Sequence, residues 1–179
     1  MDSRFIGPYQ TRKNVLVAPN AAKAIYSERT AMDRLDKLEA VEEIRALKAR
    51  YFRCMDMKDW AGLEAVFAPD LVADFRAATG GNDDSQLTHG AAAYVAKLAP
   101  ILQDVVTVHH GHMPEITVES PDTAHGVWAM EDKLWPAENS SLPFRRMHGY
   151  GHYHERYMRL EGEWRIAEIR LTRLRVDAE

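Results

Sequence analysis

Polar side chains at positions where the hydrophobic pattern calls for apolar ones are where chemistry can begin. A buried charge costs on the order of several kcal/mol unless it is partnered, and such sites are often functional. Asp56 falls near the C-terminal end of a long helical pattern, where the helix dipole disfavours a carboxylate by about 0.3–1 kcal/mol, so a positive group is expected beside it. His109 and His110 are the candidates. Neighbours on a strand point to opposite faces; Val105 and Thr107 share the side of His109, and Val106 and Val108 that of His110, so periodicity does not choose between them. Asp132 has the parity of Trp128, Met130 and Leu134, and Arg173 that of Ile169 and Leu171. These two charges either form a structural ion pair or line a pocket. Tyr51 lies on the apolar stripe of the helix, where a buried phenol needs a partner for its hydroxyl. Each residue also has a plain structural role open to it: Asp56 can begin a solvated turn, a strand histidine can be a hydrogen-bonded core residue, and Tyr51 can simply pack. Together they suggest acid-base work, because an imidazole titrates ordinarily near neutral pH and is a competent general base when a carboxylate orients it.

Other chemistries fit less well. His109, His110 and His112 cluster, and His152 and His154 share one side of a strand, but the spacing matches no zinc signature and Cys54 is the single cysteine. Gly149-Tyr150-Gly151 lacks the strand-turn-helix setting of a phosphate loop. A net charge of −4 provides no basic field for nucleic acid or an anionic membrane surface. No apolar run reaches transmembrane length, and the opening MDSRFIGPYQTRKN lacks the apolar stretch of a secretion signal. With one cysteine, a cytoplasmic location is expected.

The elements that position these residues are legible in outline. At 179 residues the chain suits one domain. Residues 1–32 show no sustained period and read as an N-terminal arm, leaving 33–179 as the folded domain. Leu35, Leu38, Val41, Ile44, Leu47, Tyr51 and Met55 recur at helical steps. Asp59 can cap a short second helix with Leu63, Val66 and Phe67 as its stripe, stopped by Pro69. A strand over 71–76 follows, then a helix over 90–98 ended by Pro100. Residues 105–110, 115–119, 123–135, 144–160 and 164–176 read as strands, closely spaced and so antiparallel. Helices first and strands afterwards give an α+β class, with helices covering one face of a curved sheet.

The segments LEAVEEIRALKARYFRCMDMKDW and FAPDLVADF resemble the opening helix and first strand of the SnoaL-like branch of the nuclear transport factor 2 superfamily. HHGHMPEITVESPDTAHGVWAMEDKL and HERYMRLEGEWRIAEIRLTRLR are similar to the bile acid 7α-dehydratases within it. The resemblance implies a cone-shaped α+β barrel with three N-terminal helices, and a catalytic set of Tyr51, Asp56, His109, Asp132 and Arg173; it selects His109 over His110. It further implies that Met55, Phe75, His112, Trp128, Met130 and Tyr153 contact a steroid-like substrate, with no cofactor, no metal and a homotrimeric assembly. Relative to scytalone dehydratase, Met55 and Phe75 stand where phenols are expected, and the second catalytic histidine's position falls near Leu134, so that enzyme's chemistry does not carry over. The activity implied is a dehydrating lyase. A cyclase or isomerase acting on another polycyclic ketone, and a non-catalytic small-molecule binder, are the competing readings.

Overall fold

A computed structural model describes residues 32–81 and 83–179. The expected arm over 1–32 lies outside the described residues apart from Met32, and Asp33–Glu179 forms one compact unit. Helix α1, Arg34–Met57, begins where Asp33 and Asp36 cap each other's backbone N–H groups. It buries Ala40, Ile44, Leu47, Lys48, Tyr51, Cys54 and Met55 along one face, which lies against the sheet. The stripe starts later than the periodicity suggests, since Leu35 and Leu38 are exposed. Among the described residues, no helix is long and apolar enough to cross a membrane.

Helix α2, Trp60–Ala65, is capped by Asp59, whose side chain accepts from the Gly62 N–H. Phe67 does not belong to its stripe. Val66 accepts a backbone hydrogen bond from Ile166, which docks the chain onto the last strand, so Phe67 opens strand β1, Phe67–Asp74, and Pro69 falls at an irregularity within it. Short turns lead to β2, Leu87–His89, a strand too brief for pattern to reveal. Helix α3, Ala91–Leu102, runs through Pro100 rather than stopping before it.

Strands β3 (Val105–Ser120), β4 (Thr123–Pro136), β5 (Met147–Leu160) and β6 (Glu163–Ala178) complete a six-stranded sheet in the order β2-β1-β6-β5-β4-β3. The two expected strands at 105–110 and 115–119 are one, bent by an irregularity between Gly111 and Pro114. Further register shifts at Val118/Ser120, Tyr150/Gly151 and Arg156/Tyr157 mark the same long ribbon. The pairing is not wholly antiparallel: β1 runs parallel to β6, as a strand reached through helices can. The sheet curves, with the three helices accompanying it, but does not close, because β2 and β3 remain its edges. The α+β class with three helices therefore holds, as an open cone rather than a barrel.

Candidate active site

The site is built where the last turn of α1 meets β3. Asp56 faces three donors on that strand: the Thr107 hydroxyl at 2.9 Å, the His109 backbone N–H at 3.0 Å and the His109 ring, whose Nδ1 lies 2.6 Å from Asp56 Oδ1. Thr107 and His109 share the inward parity of β3, while Val106 and His110 are exposed. The alternation that left the choice open is thus settled by which face α1 covers. Burial alone works against ionisation of Asp56, but the hydrogen bonds from the His109 ring and backbone, its charge and the Thr107 hydroxyl outweigh it and hold the carboxyl below its ordinary value. With Nδ1–H donated to Asp56, the lone pair of His109 sits on Nε2, and the His109 side chain, 7% exposed, lines a cavity. Phe52 stacks on the ring at 6.2 Å between centroids. Gly111 makes that possible: a Cβ there would press into Phe52.

Opposite the dyad, Arg173 grips Asp132 in a fork of two hydrogen bonds, Nη1 to Oδ1 at 2.8 Å and Nη2 to Oδ2 at 2.7 Å. The pair crosses β5, since Asp132 is on β4 and Arg173 on β6, and it does so over Gly149. A Cβ at Gly149 would fall on Asp132 Oδ1 and Arg173 Nη1. The Gly-Tyr-Gly segment is therefore a trough in a sheet and not a phosphate loop. Burial works against charge on Arg173, but Asp132 more than compensates and raises its pKa. Both Asp132 oxygens accept from the guanidinium, which holds Arg173 in place at the cavity wall.

Both pairs border a cavity of about 350 Å³. Met55, Phe75, Ile101, Leu134 and Leu171 form much of its apolar wall, and Tyr51, Tyr94 and Tyr153 bring phenols to it. Burial pushes all three phenols well above their ordinary pKa, so they are neutral donors at any physiological pH. Lys97, Thr79 and Gln86 add polar groups to the lining. A roomier hollow of about 810 Å³ lies along the ends of β4, β5 and β6, but its lining of Lys133, Arg146, His148 and Asp177 includes no part of the dyad.

A family model described as a SnoaL-like domain matches residues 36–170. The chain belongs to the SnoaL-like family. Among curated proteins, this SnoaL-like domain is 25% identical over 146 residues to Probable cyclase FGR4 of Gibberella zeae, covering 76% of this chain and 92% of that one. The crystal structure of a type 2 hexachlorocyclohexane dehydrochlorinase, LinA, matches with a TM-score of 0.67 at 17% identity, over 82% of this chain and 93% of LinA. A Novosphingobium aromaticivorans protein bearing the name scytalone dehydratase matches with a TM-score of 0.68 at 20% identity, over 79% of this chain and 89% of its own. At these identities the two structures establish the shared fold.

Of the residues expected in the site, Tyr51, His109, Asp132, Arg173, Met55, Phe75 and Tyr153 line the cavity of this SnoaL-like domain, and Asp56 stands behind His109. Trp128 and Met130 do not reach it. Trp128 is buried and donates to the Tyr157 hydroxyl at 2.8 Å, while Met130 lies behind the guanidinium, its sulfur 3.7 Å from Arg173 Nη1. His112 is exposed at the irregularity of β3 and does not line the cavity. Among the described residues, no group of three His, Cys, Asp or Glu side chains is arranged to hold a metal ion. Pattern missed Phe52, Tyr94 and Thr107. Thr107 alone had a usable signal, its parity with His109.

Proposed function

We propose that this protein is a lyase that dehydrates a hydroxylated 3-oxo-Δ4 steroid or bile acid, in the manner of a bile acid 7α-dehydratase, without a cofactor. The observation that carries the reading is a carboxylate-held imidazole opening onto an apolar cavity whose volume of about 350 Å³ falls in the range of small-molecule sites. His109 Nε2 removes the proton from the carbon vinylogous to the substrate carbonyl, and the electron pair forms a dienolate. Asp56 holds the ring and stabilises the imidazolium. Tyr51 and Tyr153, neutral phenols at the cavity wall, donate to the enolate oxygen, which carries most charge after proton removal, where such contacts raise turnover. The dienolate then collapses, the carbon–oxygen bond of the neighbouring hydroxyl breaks, and His109 returns its proton to the departing oxygen as water. Arg173 has N–H groups beyond those given to Asp132 and serves the leaving oxygen or fixes the substrate.

Elimination extends conjugation, so an ultraviolet assay over a panel of hydroxylated oxo-steroids tests the reading directly. A 7α-hydroxy-3-oxo-Δ4 steroid is expected to gain a longer-wavelength chromophore with the wild type and none with His109→Ala; no change with any member of the panel would end the proposal. A cyclase reading has its own support in the 25% identity to Probable cyclase FGR4, since the same dyad can form an enolate that attacks a second carbonyl. Carbon NMR of the product separates the two: elimination from a preformed ring system loses water and forms no new carbon–carbon single bond, whereas ring closure forms one.

A further inference from the structure

The helix that carries Asp56 ends in a lysine whose side chain meets Thr107, a hydrogen-bond partner of Asp56. Lys58 caps α1 in the left-handed conformation, φ 60° and ψ 27°, uncommon for a residue with a side chain. That geometry turns its chain back towards β3, where Nζ donates to Thr107 Oγ1 at 2.8 Å and approaches the Met55 carbonyl at 3.3 Å. Thr107 in turn donates to Asp56 Oδ1, the same oxygen that faces His109 Nδ1. An unbroken line therefore runs Lys58, Thr107, Asp56, His109. Lys58 is half-buried; burial lowers its pKa and the Asp56 carboxylate opposes that change without reversing it.

We infer that Lys58 is a positioning residue of the dyad: through Thr107 it gives Asp56 a standing positive partner, so the carboxylate remains ionised without His109 having to be protonated. A carboxylate at a helix C-terminus whose only cation is an imidazole favours the imidazolium, and an imidazolium is no base. A lysine remains charged through the neutral range and removes that demand. The other charged or titratable groups around the ring and its cavity are Asp56 and Tyr51 from α1, Tyr94 and Lys97 from α3, Asp132 directly across on β4, Tyr153 on β5 and Arg173 on β6. Asp132 and Arg173 compensate each other through their fork, and Lys97 donates to the Ser85 backbone carbonyl, which leaves Asp56 and Lys58 as the pair that sets the balance at the ring.

The contribution to catalysis rests on His109 being the base of the proposed elimination, but the electrostatic claim is read on the free protein. Ring-proton NMR of His109, assigned by comparison with His109→Gln, gives its titration midpoint without any ligand. In Lys58→Met the midpoint is expected to rise by about one pH unit, a tenfold change in the protonated fraction, and Lys58→Arg is expected to restore it. Circular dichroism confirms that the variants remain folded. An unchanged midpoint in folded Lys58→Met overturns the inference, as does a shift that Lys58→Arg fails to reverse. If the midpoint moves as stated but no steroid is dehydrated, the proposed reaction fails while the role of Lys58 stands.

Discussion

Among the described residues, two clusters of buried charge differ in one respect: the first opens onto space and the second is sealed. At the cavity, Asp56 with His109 and Asp132 with Arg173 keep hydrogen-bonding capacity to spare, on His109 Nε2 and the outer guanidinium N–H groups. Behind it, Lys48 and Glu155 are completely buried, with Nζ 2.5 Å from Oε1. Glu155 Oε2 accepts from Tyr157, whose hydroxyl accepts from Trp128, which closes the network. The Lys48 ammonium rests 4.0 Å from the Tyr51 ring centroid and 3.8 Å from that of Tyr153, so the sealed cluster forms the back wall of the open one. Burial lowers the Lys48 pKa and Glu155 opposes the change. Buried charge therefore does not by itself mark a site; unspent hydrogen bonds facing a hollow do.

That contrast breaks most sharply at His109. His109→Ala is expected to cut turnover by a factor of about 10² to 10⁴ while the domain stays folded, and a variant that loses its fold instead would place His109 with the sealed cluster. Next in size, Glu155→Ala leaves the Lys48 ammonium buried and alone, which should cost about 3–5 kcal/mol in denaturant unfolding. The pair Lys48→Met with Glu155→Gln should recover most of that loss; a double variant as unstable as the single one would show that packing, not charge, holds the region. Gly149→Ala should separate Asp132 from Arg173 at a cost of about 1–3 kcal/mol typical of overpacking, and lower turnover too, because the trough it fills belongs to the open cluster.

The smallest expected effect concerns acid. Asp56 has a lowered carboxyl pKa in the folded state, so its contribution to stability is present above the ordinary carboxyl value, about pH 4, and is lost as pH falls through the lowered one. Asp56→Asn should therefore be less stable than wild type at neutral pH, with the gap narrowing below about pH 4. Urea midpoints at several pH values check this, and a gap that persists in acid would mean the carboxylate's charge contributes nothing.

The domain's class and the inward parity of Asp132 and Arg173 follow from period alone, because a strand alternates whatever it pairs with. The helix carrying Tyr51 and Asp56 was legible for the same reason, at a period of 3.6. Lys48 and Glu155 escaped notice although both are fully buried. On α1 a lysine beside apolar residues reads as the edge of a solvated face, and on β5 the inward parity is shared by Gly149, Gly151, Tyr153 and Tyr157, too mixed to expose Glu155 as an intruder. Trp128 and Met130 show the opposite failure: their inward parity was right, yet inward meant the core rather than the cavity.

The sequence by itself determined which residues occupy inward faces, since local geometry assigns direction to each side chain before any partner is chosen. Period left His109 and His110 equivalent and the resemblance selected His109; only the tertiary structure set its ring against Asp56, drew Lys58 to the dyad through Thr107, and gave Gly149 its purpose. These depend on distances between segments far apart in the chain. The face α1 covers, and how closely it approaches β3, are properties of the assembled packing that no local period encodes.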